Sequence, residues 1–284
     1  MKTSQFCIVI PIYKEELNCV EKLSLKRLVK IIEGKNYPIY LVKPESLDCT
    51  NYHNIINKRI KVEEIYFNDK YFESIQSYSQ LCLNYKFYDK FSKYEYMYIY
   101  QLDCYLFEDQ LKEWCDKGYD YIGGPILSLD AGWDIYDKKK NIWEPKVGNG
   151  GFSLRKIQTF KDITYPNGEF RTYYKITDEL INKVVYEDKY FCNDIIDFYE
   201  INIPNWQEAC RFSFDMNADL YQEIMKEDFL PMCAHAWDRN IRHWQTRMED
   251  ITAEIVDFCE DKYKEFFKVY YNKNNQSIKE IKEE

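Results

Sequence analysis

Residues 97–103 read Met-Tyr-Ile-Tyr-Gln-Leu-Asp, an apolar run that ends in an acid. Such a run predicts a strand that is buried on both faces of a sheet. A second run of this kind covers residues 7–12 and leads into Tyr13. In open α/β sheets, ligands bind beyond the carboxyl ends of the strands. The ends of these two predicted strands are therefore the first candidate sites.

Helical and strand patterns alternate around these two runs. Apolar residues recur at helical spacing over 20–32, and Gly34 and Pro38 close that segment. The other predicted elements are short strands at 39–42 and 65–67 and a helix over 75–91. This β-α-β-β-α-β order predicts an α/β fold with a mostly parallel sheet covered by helices.

The second half of the chain has a less regular pattern. Residues 130–146 are polar and aromatic and predict a loop or an excursion from the sheet. The densest glycine cluster is Gly148-Asn149-Gly150-Gly151, directly before a short predicted strand at 152–154. Residues 176–199 are predicted to be helical in part.

The sequence shows no internal repeat and no linker, so we expect one domain over residues 1–270. Within it, about 1–125 would form a nucleotide-type half and about 126–245 a substrate-type half, and 246–270 would be a C-terminal helix. Residues 271–284 are predicted to be a polar, frayed tail.

Composition limits the choice of partners. The chain of 284 residues has 39 basic and 48 acidic side chains and a formal net charge of −9. Nucleic acids and anionic membranes attract basic proteins, so neither is expected as the main partner. Aromatic residues are numerous, with 27 Tyr, 17 Phe and 6 Trp. An aromatic sugar-binding surface would account for them, but we favour the codon usage of an AT-rich genome.

The cysteines predict free thiols. The closest pair, Cys104 and Cys115, is 11 residues apart, so the chain has no Cys-x-x-Cys motif. We find no signal peptide and no apolar run of about 18 residues. We therefore expect a cytoplasmic protein without a transmembrane segment, in which Lys138–Lys140 is a candidate for peripheral membrane contact.

Four features carry candidate chemistry, and each has a structural alternative. Asp103 could bind a cation or cap a turn, and the glycines at 148–151 could admit a ligand or form a tight hairpin. Glu187 and Asp188 could supply a base in a cleft or first-turn charges of a helix. The small apolar neighbours of His235 favour a core histidine over a ligand.

The order of these features resembles that of the GT-A fold nucleotide-sugar glycosyltransferases. The resemblance is closest to an uncharacterised, glycosyltransferase-like family found with bacterial polysaccharide genes. It implies a Rossmann-like GT-A domain whose mostly parallel central sheet is flanked by helices, with a smaller acceptor-side region. The matching segments are Val9–Lys14, Tyr100–Asp103, Tyr119–Gly123, Val147–Arg155, Glu187-Asp188 and Cys233–Trp237.

The resemblance also implies roles for individual residues. Asp103 matches the second acid of the family's Asp-x-Asp motif and, with His235, would bind Mn²⁺ or Mg²⁺. Gln101 replaces the first acid, which removes a negative charge and predicts a weaker metal site. The implied donor-binding residues are Pro11, Tyr13, Gln101 and Asp103, the acceptor-binding residues are Asn149, Gly150 and Gly151, and the catalytic pair is Asp188 as base with Glu187 beside it.

The implied reaction is an inverting hexosyl transfer in surface polysaccharide synthesis. The donor would be a nucleotide-sugar, with UDP favoured because it is common for this fold, and the acceptor would be a hydroxyl of a glycan or a lipid-linked sugar. Two alternatives stay open. A retaining transferase would not need Asp188 as base, and Gln101 is compatible with a catalytically inactive sugar- or nucleotide-binding protein.

A hydrolase and a nucleotidyltransferase fit less well. Asp103 and Asp188 could flank a glycosidic bond, but the strand order and the glycine turn favour a donor site. The segment after the first strand, Pro11–Glu15, does not look like a glycine-rich phosphate loop.

Overall fold

The strand predicted from the apolar run at residues 7–12 forms β1, Phe6–Pro11, near the middle of the central sheet. The computed structural model describes residues 5–56, 60–127, 136–137, 142–143, 145–196, 198–216 and 218–264. The predictions for Lys138–Lys140, for the tail at 271–284 and for the end of the C-terminal helix lie outside these residues. Within the predicted C-terminal helix, residues 253–264 are helical.

The strands vary from two to six residues in length. They are β1 (Phe6–Pro11), β2 (Ile39–Pro44), β3 (Val62–Phe67), β4 (Tyr96–Tyr100), β5 (Tyr105–Leu106), β6 (Tyr121–Gly123), β7 (Pro125–Ile126), β8 (Tyr136–Asp137), β9 (Ile142–Trp143), β10 (Lys146–Val147), β11 (Phe152–Lys156), β12 (Ser213–Phe214) and β13 (Cys233–Ala234).

The helices surround the central sheet. They are α1 (Cys19–Ile32), α2 (Thr50–Ile56), α3 (Ile75–Cys82), α4 (Tyr85–Asp89), α5 (Leu111–Asp116), α6 (Ile157–Thr164), α7 (Glu169–Tyr173), α8 (Asp178–Asn182), α9 (Glu187–Lys189), α10 (Trp206–Phe212), α11 (Ala218–Met225) and α12 (Ile241–Trp244). The other described helical segments are short 3-10 helices at Asp69–Phe72 and Trp237–Asn240, a π-helical turn at Tyr190–Asp194 and the helical residues 253–264.

The central sheet confirms the predicted fold class. In the described residues its strand order is β3-β2-β1-β4-β11-β6. β1, β2, β3 and β4 run parallel, and β11 is antiparallel to both β4 and β6. The order reverses at β1, so the carboxyl ends of β1 and β4 open a crevice at a topological switch point.

The two faces of the sheet bury two different cores. Alternate residues of β1 point to opposite faces, so Phe6, Ile8 and Ile10 pack in one core and Cys7 and Val9 in the other. Tyrosines of β4 fill the first core. The Tyr98 hydroxyl donates to the Leu111 carbonyl at 2.6 Å, and the Tyr100 hydroxyl donates to the Cys104 carbonyl at 2.9 Å. Much of the aromatic excess therefore serves packing.

The structure corrects some predicted boundaries. The helix predicted over 75–91 is two helices, α3 and α4, because the Asn84 side chain accepts a hydrogen bond from the Lys86 N–H and starts a new helix. The segment at 130–146, predicted as a loop or an excursion from the sheet, includes the antiparallel pair β8–β9, which is separate from the central sheet. All ten cysteines are free. Among the described residues, no helix combines the length and the apolarity needed to cross a bilayer.

A buried ion pair ties β11 to α9. The Arg155 side chain is fully buried, and its Nη2 donates to Glu187 Oε1 at 2.9 Å. The second Glu187 oxygen accepts from the Ser79 hydroxyl at 2.8 Å, and Arg155 Nη1 donates to the Tyr88 hydroxyl at 3.1 Å. Both carboxylate oxygens of Glu187 are therefore engaged, which favours a positioning role over that of a base.

Replacing Glu187 tests this anchor. Glu187→Ala leaves the Arg155 charge buried without its partner, so we expect the free energy of unfolding to fall by about 3–5 kcal/mol. Urea unfolding of both proteins measures the difference. The matched control is Glu179→Ala, whose partner Lys183 is exposed and on the same helix turn; its loss should stay below about 1 kcal/mol. Equal losses in the two variants would show that the buried pair has no special structural role.

Candidate functional site

The predicted site residues line one cleft at the carboxyl ends of β1 and β4. The cleft has a volume of about 590 Å³. The residues predicted from the sequence that line it are Pro11, Tyr13, Gln101, Asp103, Asn149, Gly150, Gly151, Glu187, Asp188 and His235. Residues up to 224 positions apart in the sequence are thus brought together at the strand ends where the candidate sites were predicted.

A small second sheet places the acids and the histidine. In the described residues its order is β12-β13-β5, with β12 parallel to β13 and Phe214 opposite Ala234. The residues that follow these two, Asp215 and His235, therefore lie side by side. β13 is antiparallel to β5, which begins two residues after Asp103. All three side chains consequently meet at one edge of this sheet.

His235 is held between two carboxylates. Its Nδ1 lies 2.8 Å from Asp215 Oδ1, and its Nε2 lies 3.4 Å from Asp103 Oδ1. Burial alone lowers the pKa of His235, but Asp103 and Asp215 outweigh it and raise the pKa to about 10. Burial also raises the pKa of Asp103, although the imidazole opposes that shift. In this arrangement the imidazole is in its charged form, with a proton on each nitrogen. A metal ion bound to one of these nitrogens would have to replace its proton.

The donor atoms fit a divalent metal that shares its coordination with a ligand. Asp103 Oδ1 is buried and has no hydrogen-bond partner among the described residues. The hydrogen bond to Asp215 orients the imidazole in the way that partners of metal-bound histidines do. Groups of three or more His, Cys, Asp or Glu side chains that could hold a metal are absent from the described residues. Phosphate and water oxygens would have to complete the coordination, as they do at many Mg²⁺ sites.

The glycine turn packs directly against these side chains. A Cβ on Gly151 would lie only 2.0 Å from His235 Nε2, so no other residue fits at 151 with the imidazole in this position. The Gly151 carbonyl accepts from the Gln101 N–H at 2.9 Å, and the Gly151 N–H donates to Asn149 Oδ1 at 2.9 Å. The Asn149 amide oxygen is therefore used within the turn, although the residue lines the cleft.

Asp188 lies on the other side of the same turn. Its Oδ2 accepts from the Gly150 N–H at 3.0 Å, and its Oδ1 accepts from the Lys189 N–H at 2.7 Å. Burial and the neighbouring Glu187 raise the pKa of Asp188 to about 7, against these hydrogen bonds and Arg155. A carboxylate with this pKa can take up a proton near neutral pH.

Tyr13 and Lys14 form the opposite wall, just after β1. Tyr13 is 62% exposed, and it lines the cleft. The Lys14 carbonyl accepts from the Tyr52 hydroxyl at 2.7 Å, and Lys14 Nζ lies 2.8 Å from a Glu21 carboxylate oxygen. These contacts hold the segment after β1 against α1 and α2.

Some residues of this site were not predicted from the sequence. Asp215, which contacts His235, is one of them, because the pairing of β12 with β13 was not predicted. Two cationic side chains, Arg239 and Lys262, also line the cleft. Lys262 Nζ lies 3.2 Å from Asp238 Oδ2, which also accepts from the Tyr263 hydroxyl at 2.6 Å.

The structure is similar to those of solved glycosyltransferases. Core-mannan synthase A from Aspergillus fumigatus, in its Mn/GDP form, is 11% identical over 72% of this chain and 71% of that chain, with a TM-score of 0.46. The galactosyltransferase LgtC, in complex with donor and acceptor sugar analogues, is 13% identical over 87% and 98%, with a TM-score of 0.46. A glycosyltransferase involved in glycosylation of the major capsid of PBCV-1 is 12% identical over 86% and 99%, with a TM-score of 0.42.

The sequence itself matches no curated protein significantly. One family model matches residues 61–235, which is more than half of the chain. The matched segment contains most of the cleft residues, from Gln101 through Asp188 to His235. The chain belongs to the family described as protein of unknown function DUF5672.

Proposed function

We propose that this protein is a glycosyltransferase that moves a sugar from a nucleotide-sugar to an acceptor hydroxyl. One observation carries the proposal: a carboxylate and an acid–imidazole pair flank two consecutive glycines in one cleft. Asp188 accepts from the Gly150 N–H at 3.0 Å, and His235 packs against Gly151. The Cα atoms of two consecutive residues are about 3.8 Å apart. The carboxylate at Gly150 and the imidazole at Gly151 are therefore close enough for a base and a phosphate-binding group to act on the same small ligand.

The base would act on the acceptor. In an inverting transfer, Asp188 takes the proton of the acceptor hydroxyl while that oxygen attacks the anomeric carbon. The bond between this carbon and the diphosphate oxygen breaks, and the electron pair leaves with the diphosphate. General-base assistance of this kind contributes about 10²–10⁴ in rate. A retaining transferase would use the same cleft without this proton transfer.

The leaving group would lie near Asp103 and His235. These residues would hold Mn²⁺ or Mg²⁺, which neutralises developing charge on a diphosphate. Arg239 and Lys262 line the same cleft and would contact a diphosphate there. Lys262 already pairs with Asp238, so its charge is partly offset. Asp215 would act only through His235, by fixing the orientation of its imidazole.

The remaining assignments rest on the sequence resemblance. We favour a UDP-sugar donor, a glycan or lipid-linked acceptor and a role in surface polysaccharide synthesis. Pro11, Tyr13 and Gln101 would contact the nucleotide, and the backbone at Gly150 and Gly151 would approach the acceptor. Gln101 supplies an amide where a carboxylate would bind a metal more strongly, which keeps a donor-binding protein without turnover as the second candidate.

Donor turnover tests the proposal directly. The purified protein is incubated with UDP-, GDP-, CMP- and dTDP-sugars, each with Mn²⁺, Mg²⁺ or EDTA, and free nucleotide is measured. We expect slow release from one donor, and we expect EDTA and Asp103→Ala to abolish it. Asp215→Asn should reduce it by about 10–100-fold, because the imidazole loses its orienting partner.

The matched control for Asp215→Asn is Asp219→Asn. Asp219 also accepts a hydrogen bond from a histidine, His243, but neither residue lines the cleft. Release that persists in EDTA would exclude the metal at Asp103 and His235. Donor binding, detected as a thermal shift, without release in the presence of any sugar acceptor would support the second candidate.

The pKa of Asp188 predicts a pH profile. Since the base acts only when ionised, transfer should rise with pH through an apparent pKa of about 7 and level off above it. Asp188→Asn should lower the rate by about 10²–10⁴-fold and remove this limb. The control, Asp178→Asn, changes an exposed carboxylate and should leave the profile intact. A profile that is unchanged in Asp188→Asn would exclude Asp188 as the base.

A further inference from the structure

A second groove, separate from the cleft, is lined by aromatic rings. Its volume is about 710 Å³, within the size range of small-ligand sites. We call it the tyrosine groove; its rings are Tyr85, Tyr165, Tyr173, Tyr174, Tyr199 and Phe170. They come from α4, the end of α6, α7 and the segment after the π-helical turn. Three of these tyrosines are exposed: Tyr173 by 78%, Tyr165 by 45% and Tyr174 by 39%.

The rings of the tyrosine groove are held by one another. Tyr85 and Tyr165 pack edge to face with centroids 5.0 Å apart, and Tyr173 and Tyr174 do so at 4.8 Å. Phe170, which is buried, contacts both Tyr174 and Tyr199 at 5.1 and 5.0 Å. Rings fixed in this way lose little conformational entropy when a ligand stacks on them.

The charged residues of the groove select against anions. Lys161 Nζ lies 2.7 Å from Asp89 Oδ1, so this lysine is already paired. Two further carboxylates, Asp162 and Glu169, line the groove. The groove is therefore net negative by two charges. Nucleotides, phosphorylated ligands and anionic lipid surfaces are therefore disfavoured as ligands of this groove.

We propose that the tyrosine groove binds an uncharged oligosaccharide. A pyranose presents apolar C–H faces, which stack on partly exposed rings, and hydroxyl groups around its edge, which donate to carboxylates such as Asp162 and Glu169. Aromatic rings and carboxylates side by side match this pattern. Packing explains the buried aromatic residues of the chain. Sugar binding would explain why the tyrosines of this groove are exposed.

The groove and the cleft are connected through α3. Ser74, the N-cap of α3, lines the cleft, and Tyr85, three residues after α3 ends, lines the groove. An eight-residue helix is about 12 Å long, so the two sites are distinct. Binding in the groove does not depend on the proposed transfer reaction.

The test is a binding measurement on the full chain. Cellotetraose, maltotetraose, mannotetraose and chitotetraose are titrated into the protein, and calorimetry or the tyrosine and backbone resonances report binding. We expect at least one to bind, with affinity reduced about tenfold or more by Tyr173→Ala and by Tyr165→Ala. Both side chains are exposed, so both variants should fold. The matched control is Tyr66→Ala, a 53% exposed tyrosine on β3 outside the groove, which should leave affinity unchanged.

Three results would overturn the proposal. In the first, none of the four probes binds. In the second, binding is unaffected by Tyr173→Ala and Tyr165→Ala but is lost in Asp188→Asn, which would place the sugar in the cleft. In the third, Tyr173→Ala abolishes self-association of the protein without any effect on sugars, which would make the surface a contact between copies. A failure to release nucleotide from any donor contradicts the transferase alone and leaves this measurement unaffected.

Discussion

The contact of the Gly150-Gly151 backbone with its surroundings is the constraint on which the cleft depends. Gly151 leaves no room for a Cβ beside His235, and a Cβ at Gly150 would lie only 3.2 Å from both Asp188 Cβ and Arg155 Nη2. Because the turn is bonded to the end of β4 through Gln101, the two glycines fix the distance between the acids and the central sheet. A side chain at either glycine would separate the groups that the proposed chemistry needs together.

Buried polar contacts hold the glycine turn and Asp188 in place. The Tyr121 hydroxyl lies 2.9 Å from the Gly148 carbonyl and 3.0 Å from the Asn149 carbonyl, which holds the start of the turn. Arg155, Glu187 and Ser79 then connect β11 to α9, and so to Asp188. A buried charge without a partner costs several kcal/mol, so these residues hold α9, and with it Asp188, in place.

Predictions from the sequence were most accurate where a single strand carried the signal. The ends of β1 and β4 were predicted because continuous apolar runs stop there, and both ends line the cleft. The acid pair at Glu187 and Asp188 was found, but the sequence could not distinguish their environments. Glu187 pairs with Arg155 of β11, while Asp188 accepts hydrogen bonds from the backbone N–H groups of Gly150 and Lys189. This difference separates an anchor from a candidate base.

The sequence by itself determined the α/β class, the central strands and the order of the candidate residues, because strand burial and turn chemistry are local properties of the chain. The tertiary structure alone decided that Asp215 orients His235, that Arg239 and Lys262 reach the cleft, and that five tyrosines share one groove. These outcomes depend on the pairing of short strands and on packing between distant helices. Such contacts arise from the whole fold and leave no periodic pattern in the sequence.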